Sequence, residues 1–210
     1  MCNLIFILVT ESRCISYGFE YTGLLSQVGY YLANFSTQIS SSTLVTVLAG
    51  ANDLFQGTDY DVAADNVAYA LTHLANAGFQ NFLVFNLPDI GATPQFSSGD
   101  PSIAADATAW SQAFNMDLAA NLLTLEQLYS GANFYTLDIY TLFNSASVNQ
   151  EAYRFTDIND ILWVDGLHPS TKGHTLIADY AMAAVPEPAS IVLLTLGMFG
   201  LAAIRRNLQK

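Results

Sequence analysis

The chain has 210 residues, 52% of them hydrophobic and 11% charged, with 18 acidic against 6 basic side chains and a formal charge of -12. That apolar content supports one ordinary domain with its own core and excludes a disordered chain. Up to Ala184 the balance is 17 acidic minus 3 basic, or -14, a surface that repels phosphate backbones, so a nucleic-acid partner is excluded.

At the amino end, Cys2 and Cys14 form neither a C-x-x-C pair nor the Cys/His spacing of a structural zinc site, and no metal or cofactor is expected. Asn3 to Val9 is apolar but has no basic residue before it, so it lacks the charged start of a secretory signal. Leu44 to Ala49 is a continuous aliphatic and β-branched run, as in a strand buried on both faces. Asp59 to Ala77 places Ala63, Val67, Ala70, Leu71 and Leu74 on one helical face, and Gly78 closes it. Phe82 to Phe85 is the next buried strand. A long helix over Ala104 to Tyr129 carries Trp110, Phe114, Leu118, Leu122 and Leu125 at spacings of three and four. A short strand, Asn133 to Leu137, and a last helix, Thr171 to Ala184, complete the body. Strands separated by such helices imply right-handed crossovers and a parallel sheet with helices on both faces, an α/β fold whose working residues lie in loops at the carboxyl ends of the strands.

Two loops fit that position. Gly50-Ala51-Asn52-Asp53 follows the first buried strand. The Asn52 amide there is a neutral, directional donor suited to a developing oxyanion, or else Gly50 and Asn52 make a turn and Asp53 caps the next helix. In Asp165-Gly166-Leu167-His168 the glycine lets the loop fold back, so that the carboxylate holds one imidazole nitrogen and the other faces a substrate. The alternative is a surface loop in which Asp165 caps a turn and Pro169 starts the helix. His73 on the first long helix and His174 on the last one are expected to serve packing or surface roles, and Gly99-Asp100-Pro101-Ser102 is expected to be a turn before the helix at Ala104.

The carboxyl end changes composition abruptly. Val185-Pro186-Glu187-Pro188 is followed by an uncharged run from Ala189 to Ile204 and then Arg205-Arg206. At ~1.5 Å per residue the run spans roughly 24 Å, slightly short of a hydrocarbon core of ~30 Å. A marginal membrane segment through residues 189–204 is expected, with the arginines on the cytoplasmic side. This tail resembles the PEP-CTERM sorting signal. The resemblance implies export, recognition by an exosortase-type sorting enzyme, and delivery to the cell surface or extracellular matrix after transient anchoring.

The body, from about Gly23 to Ala184, resembles the SGNH hydrolase superfamily, also called GDSL lipases and esterases. Gly50-x-Asn52-Asp53 is similar to its third block and Asp165-x-x-His168 to its fifth. Asn86 to Pro94 is similar to the segment after the next strand, and Leu24 to Leu32 to the helix leading into the third block. The resemblance implies a three-layer, flavodoxin-like sheet, and hydrolysis of a small ester or an acylated carbohydrate or lipid. By the same resemblance, Asp165 and His168 are catalytic and Gly50 and Asn52 bind the oxyanion. Three units follow: residues 1–19, a hydrolase-like domain 20–184 and a sorting segment 185–210.

The family's Gly-Asp-Ser-Leu block has no match. Ser12, in Val9-Thr10-Glu11-Ser12-Arg13, is the nearest candidate nucleophile, and Gly18 the nearest match to the second-block glycine, yet Ser12 lies only 40 residues before Asn52. Loss of a first strand would bare an apolar edge unless Asn3 to Val9 substitutes for it. An N-terminally shortened hydrolase is expected, the alternative being an inactive surface or matrix protein that binds polysaccharide.

Overall fold

A computed structural model of the chain describes residues 4–8, 16–17, 20–21, 23–35, 39–40, 42–157 and 165–185. Its centre is a parallel sheet of four strands: β1 (Leu4–Leu8), β4 (Leu44–Leu48), β5 (Asn81–Phe85) and β6 (Asn133–Leu137), hydrogen-bonded in that order. A two-stranded antiparallel ribbon, β2 (Ser16–Tyr17) and β3 (Glu20–Tyr21), lies in sequence between β1 and α1 (Leu24–Phe35). The crossovers after β4 and β5 run through α2 (Ala51–Phe55), α3 (Tyr60–Asn76), α4 (Pro94–Ser97) and α5 (Pro101–Leu128). After β6 come α6 (Ile139–Val148) and α7 (Thr171–Ala184).

Strands β4, β5 and β6 divide their side chains between two cores, because neighbours along a strand point to opposite faces. Val45, Val47, Phe82 and Val84 face one side, where α1, α3 and α5 pack on them through Leu24, Val28, Leu71, Phe114 and Leu118. Leu83 and Leu137 face the other, covered by Leu142 and Phe143 of α6 and, less completely, by Leu176 and Ile177 of α7. The expected three-layer parallel α/β fold is therefore present, and the strands and helices predicted from periodicity lie within a few residues of their observed bounds.

Two differences have local causes. Helix α5 starts at Pro101 rather than Ala104, since the Asp100 carboxylate accepts from the Ser102 N–H at 2.8 Å and proline suits the first helical position. Helix α6 follows β6 at once because Asp138 caps it, accepting from the Thr141 N–H at 3.0 Å.

The position beside β4 is filled by β1, in parallel register from Leu4 opposite Leu44 to Leu8 opposite Leu48. This is the substitution by Asn3 to Val9 that the sequence left open. Among the described residues no helix is long and apolar enough to cross a membrane. Ser12, Gly18, both cysteines and the run 189–204 lie outside the described residues.

Candidate active site

The parallel strands turn their carboxyl ends to one side, and the segments that leave them there are tied together by side chains. After β4, Gly50 adopts φ 115° and ψ -26° at the start of α2. That conformation is open to glycine and strained for other residues. A Cβ on Gly50 would also fall 2.6 Å from Phe114 Cζ, so the turn packs tightly against the far end of the Phe114 ring. Within α2, Asp53 is buried and Ala51 and Leu54 pack against the core, while Asn52 is half-buried and Phe55 is 44% exposed. Among the described residues nothing hydrogen-bonds the Asn52 side-chain amide, which leaves it available as a donor.

After β5, Asn86 Nδ2 donates to Asp138 Oδ1 at 2.7 Å and Asn86 Oδ1 accepts from the Tyr140 N–H at 3.1 Å, which joins the ends of β5 and β6. Burial raises the Asp138 carboxyl's pKa, but hydrogen bonds from Thr141 and Asn86 outweigh it and hold the group below its ordinary value. Next, Asn115 of α5 clasps the backbone of Leu87: its Oδ1 accepts from the Leu87 N–H and its Nδ2 donates to the Leu87 carbonyl, both at 2.8 Å. The chain then turns through Thr93 into α4.

Helix α4 connects the two predicted loops. Its Phe96 ring lies 5.6 Å from the Phe55 ring of α2, and its Gln95 N–H donates to the Gly166 carbonyl at 2.9 Å. Gly166, with φ 86°, sits over Pro94 and Gln95, and Leu167 packs against the main core. The loop is thus anchored at its middle while its polar residues stay exposed.

Within it, Asp165 Oδ2 lies 2.7 Å from His168 Nδ1, and Asp165 Oδ1 accepts from the N–H groups of His168 at 2.7 Å and Leu167 at 3.0 Å. The His168 N–H, the His168 ring and the Leu167 N–H together hold the Asp165 carboxyl well below the usual carboxylate range. An ionised carboxylate at Nδ1 favours the tautomer with its proton on that nitrogen, which leaves the Nε2 lone pair free to accept a proton. The His168 and Asp165 side chains are 62% and 54% exposed, so both are open to solvent.

The structure thus brings Asp165 and His168 into direct contact and links their loop to the Asn52 helix through α4. The other histidines stand apart: His73 is edge-on to Tyr69 at 4.4 Å on α3, and His174 lies exposed on α7. Among the described residues no group of His, Cys, Asp or Glu could hold a metal ion. Sequence reasoning missed the Asn86–Asp138 bridge, the Asn115 clasp and the Gln95–Gly166 tie. The Asn115 clasp had a signal, a polar residue flanking the apolar stripe of α5.

Several known proteins resemble this chain. Over 78% of its length the chain is 29% identical to an uncharacterized protein of the trpE-trpG intergenic region of Pseudomonas putida, covering 32% of that protein. It is also 27% identical, over 56% of its length, to a GDSL esterase/lipase of Arabidopsis thaliana, covering 36% of it. The chain thus spans about a third of the length of these curated relatives. The crystal structure of a member of the lipolytic protein G-D-S-L family from Veillonella parvula superposes with a TM-score of 0.54 at 17% identity, over 86% of this chain and 97% of that one, and shares its fold. Residues 184–207 match the PEP-CTERM protein-sorting motif, which indicates export and surface sorting. Residues 13–181, most of the chain, match the GDSL-like Lipase/Acylhydrolase family model, and the chain belongs to that family.

Proposed function

We propose that this chain is a serine-type hydrolase of carboxylic esters, exported and held briefly at the membrane through residues 189–204 while a sorting enzyme of the exosortase type acts near Pro186-Glu187-Pro188. In this reading residues 20–184 form most of the hydrolase domain, β1 adding the strand beside β4, and 185–210 the sorting segment. The observation that carries it is the 2.7 Å contact between His168 Nδ1 and an ionised Asp165, with Nε2 left to work as a base.

The nucleophile is left unassigned: Ser12 is the nearest candidate serine, and the family match begins one residue after it, at Arg13. A serine hydroxyl attacks the ester carbonyl while His168 Nε2 takes its proton. The Asn52 amide, in the turn set by Gly50, donates to the oxyanion. Collapse of the tetrahedral adduct expels the alcohol, which receives the proton from His168, and water then releases the acid from that serine by the same route. No metal or cofactor enters this scheme.

The test is hydrolysis of p-nitrophenyl acetate and butyrate by the chain and by its His168→Ala and Ser12→Ala variants. His168→Ala should lose about 10²-fold or more in kcat/KM, and an equal loss in Ser12→Ala would make Ser12 the nucleophile. Activity that survives His168→Ala unchanged would remove the reading, and folded protein with no activity in any form would favour a binding role on the same fold.

A further inference from the structure

From the Phe55–Phe96 pair we infer that the acyl chain of the substrate lies on these two rings, which makes them the residues that select an apolar acyl group over acetate. This rests on the ester-hydrolase reading above. In α2, Asn52 and Phe55 are three residues apart and therefore share one face of the helix. That face is the one turned away from the core, since Asp53 and Leu54 occupy the inner side. A carbonyl whose oxygen meets the Asn52 amide thus lies within one helical turn of the Phe55 ring.

The leaving oxygen must face His168, which returns the proton to it, so the acyl arm is the part of the ester directed back toward α2. Phe96 completes the surface from the other side. Its ring lies 5.6 Å from that of Phe55 at 45°, and its neighbour Gln95 holds the Asp165–His168 loop through Gly166. The pair bridges the two halves of the site, and Phe55 keeps 44% of its surface in water. An acyl chain laid across it would remove apolar area from both partners. The chain's formal charge of -12 disfavours an anionic arm, which makes an uncharged acyl chain the fitting occupant.

A methylene fully removed from water is worth about fourfold in affinity, so hexanoate, four methylenes longer than acetate, gives the sensitive comparison. The experiment measures kcat/KM for p-nitrophenyl hexanoate and acetate with the full chain, Phe55→Ala, Phe55→Leu and Phe96→Ala. Leu128→Ala serves as control, a 70% exposed apolar residue at the far end of α5. The hexanoate-to-acetate ratio should fall at least fourfold in both alanine variants, hold within about twofold in Phe55→Leu, and not move in Leu128→Ala. Calorimetric binding of p-nitrophenyl hexanoate to the His168→Ala protein, with and without Phe55→Ala, reads the same surface with no need for turnover.

Hexanoate hydrolysed with an unchanged ratio in both alanine variants would overturn the acyl surface and leave the hydrolase reading in place. Hexanoate bound tightly, weakened by Phe55→Ala and hydrolysed by no form would keep the surface and overturn the hydrolase reading. Neither binding nor turnover would overturn both.

Discussion

Replacing Gly50 by alanine tests how the turn after β4 is held. Two costs add. At φ 115° an L-residue is strained by about 1–2 kcal/mol. The new Cβ also falls 2.6 and 2.7 Å from Phe114 Cζ and Cε2, and a methyl forced into a filled core typically costs about 1–3 kcal/mol. The ring has little freedom to withdraw. Phe114 is fully buried and stacks on Trp110 at 5.6 Å with planes 7° apart, and the Trp110 Nε1–H donates to the Thr58 carbonyl at 3.1 Å. The expected loss is therefore about 2–5 kcal/mol, a large share of the ~5–15 kcal/mol that stabilises a typical domain. Urea unfolding followed by circular dichroism measures it. In a Phe114→Leu background the same glycine replacement should lose its steric part and keep the backbone part, so the two changes should couple by about 1 kcal/mol or more. A Gly50→Ala protein within about 0.5 kcal/mol of the parent would refute both the strain and the packing argument.

At Gly166 the strain is similar but the space is open, with the nearest atom, Gln95 N, at 3.5 Å from an added Cβ. Gly166→Ala should therefore keep only the backbone part, about 1–2 kcal/mol in urea unfolding, while shifting the exposed loop and lowering kcat/KM about tenfold; a variant as stable and active as the parent would show that the loop needs no positive φ. Because Asp165 titrates below its ordinary range when folded, it binds protons less readily there than in the unfolded chain, so the stability it adds is present above the unfolded carboxylate's range and is lost as pH falls through the lower folded value. Below about pH 4 the unfolding midpoint of Asp165→Asn should thus depend less on pH than the parent's, and parallel curves would contradict this. Asp138→Ala removes the α6 cap and orphans the Asn86 amide, for an expected loss of about 1–3 kcal/mol in urea unfolding. A change below about 0.5 kcal/mol would mean that water replaces the bridge.

The sequence by itself determined the elements whose signal repeats within a short window. The β-branched run at Leu44–Leu48 and the apolar stripes of α3 and α5 identify themselves, because period and length suffice to place a buried strand or an amphipathic helix. It also paired Asp165 with His168, which are close enough in the chain for local geometry to join them. A helix of five residues such as α2 is too short to show a period, and it forms where Gly50 turns the chain against Phe114, a contact between distant segments. Only the tertiary structure decided that Leu4–Leu8 fills the place beside β4, since an apolar run does not name its partner strand. The same holds for Asn115 on Leu87, for Gln95 on Gly166 and for Phe55 against Phe96. Each joins segments far apart in the chain, and such contacts form only once the parallel sheet has brought the carboxyl ends of its strands to one side.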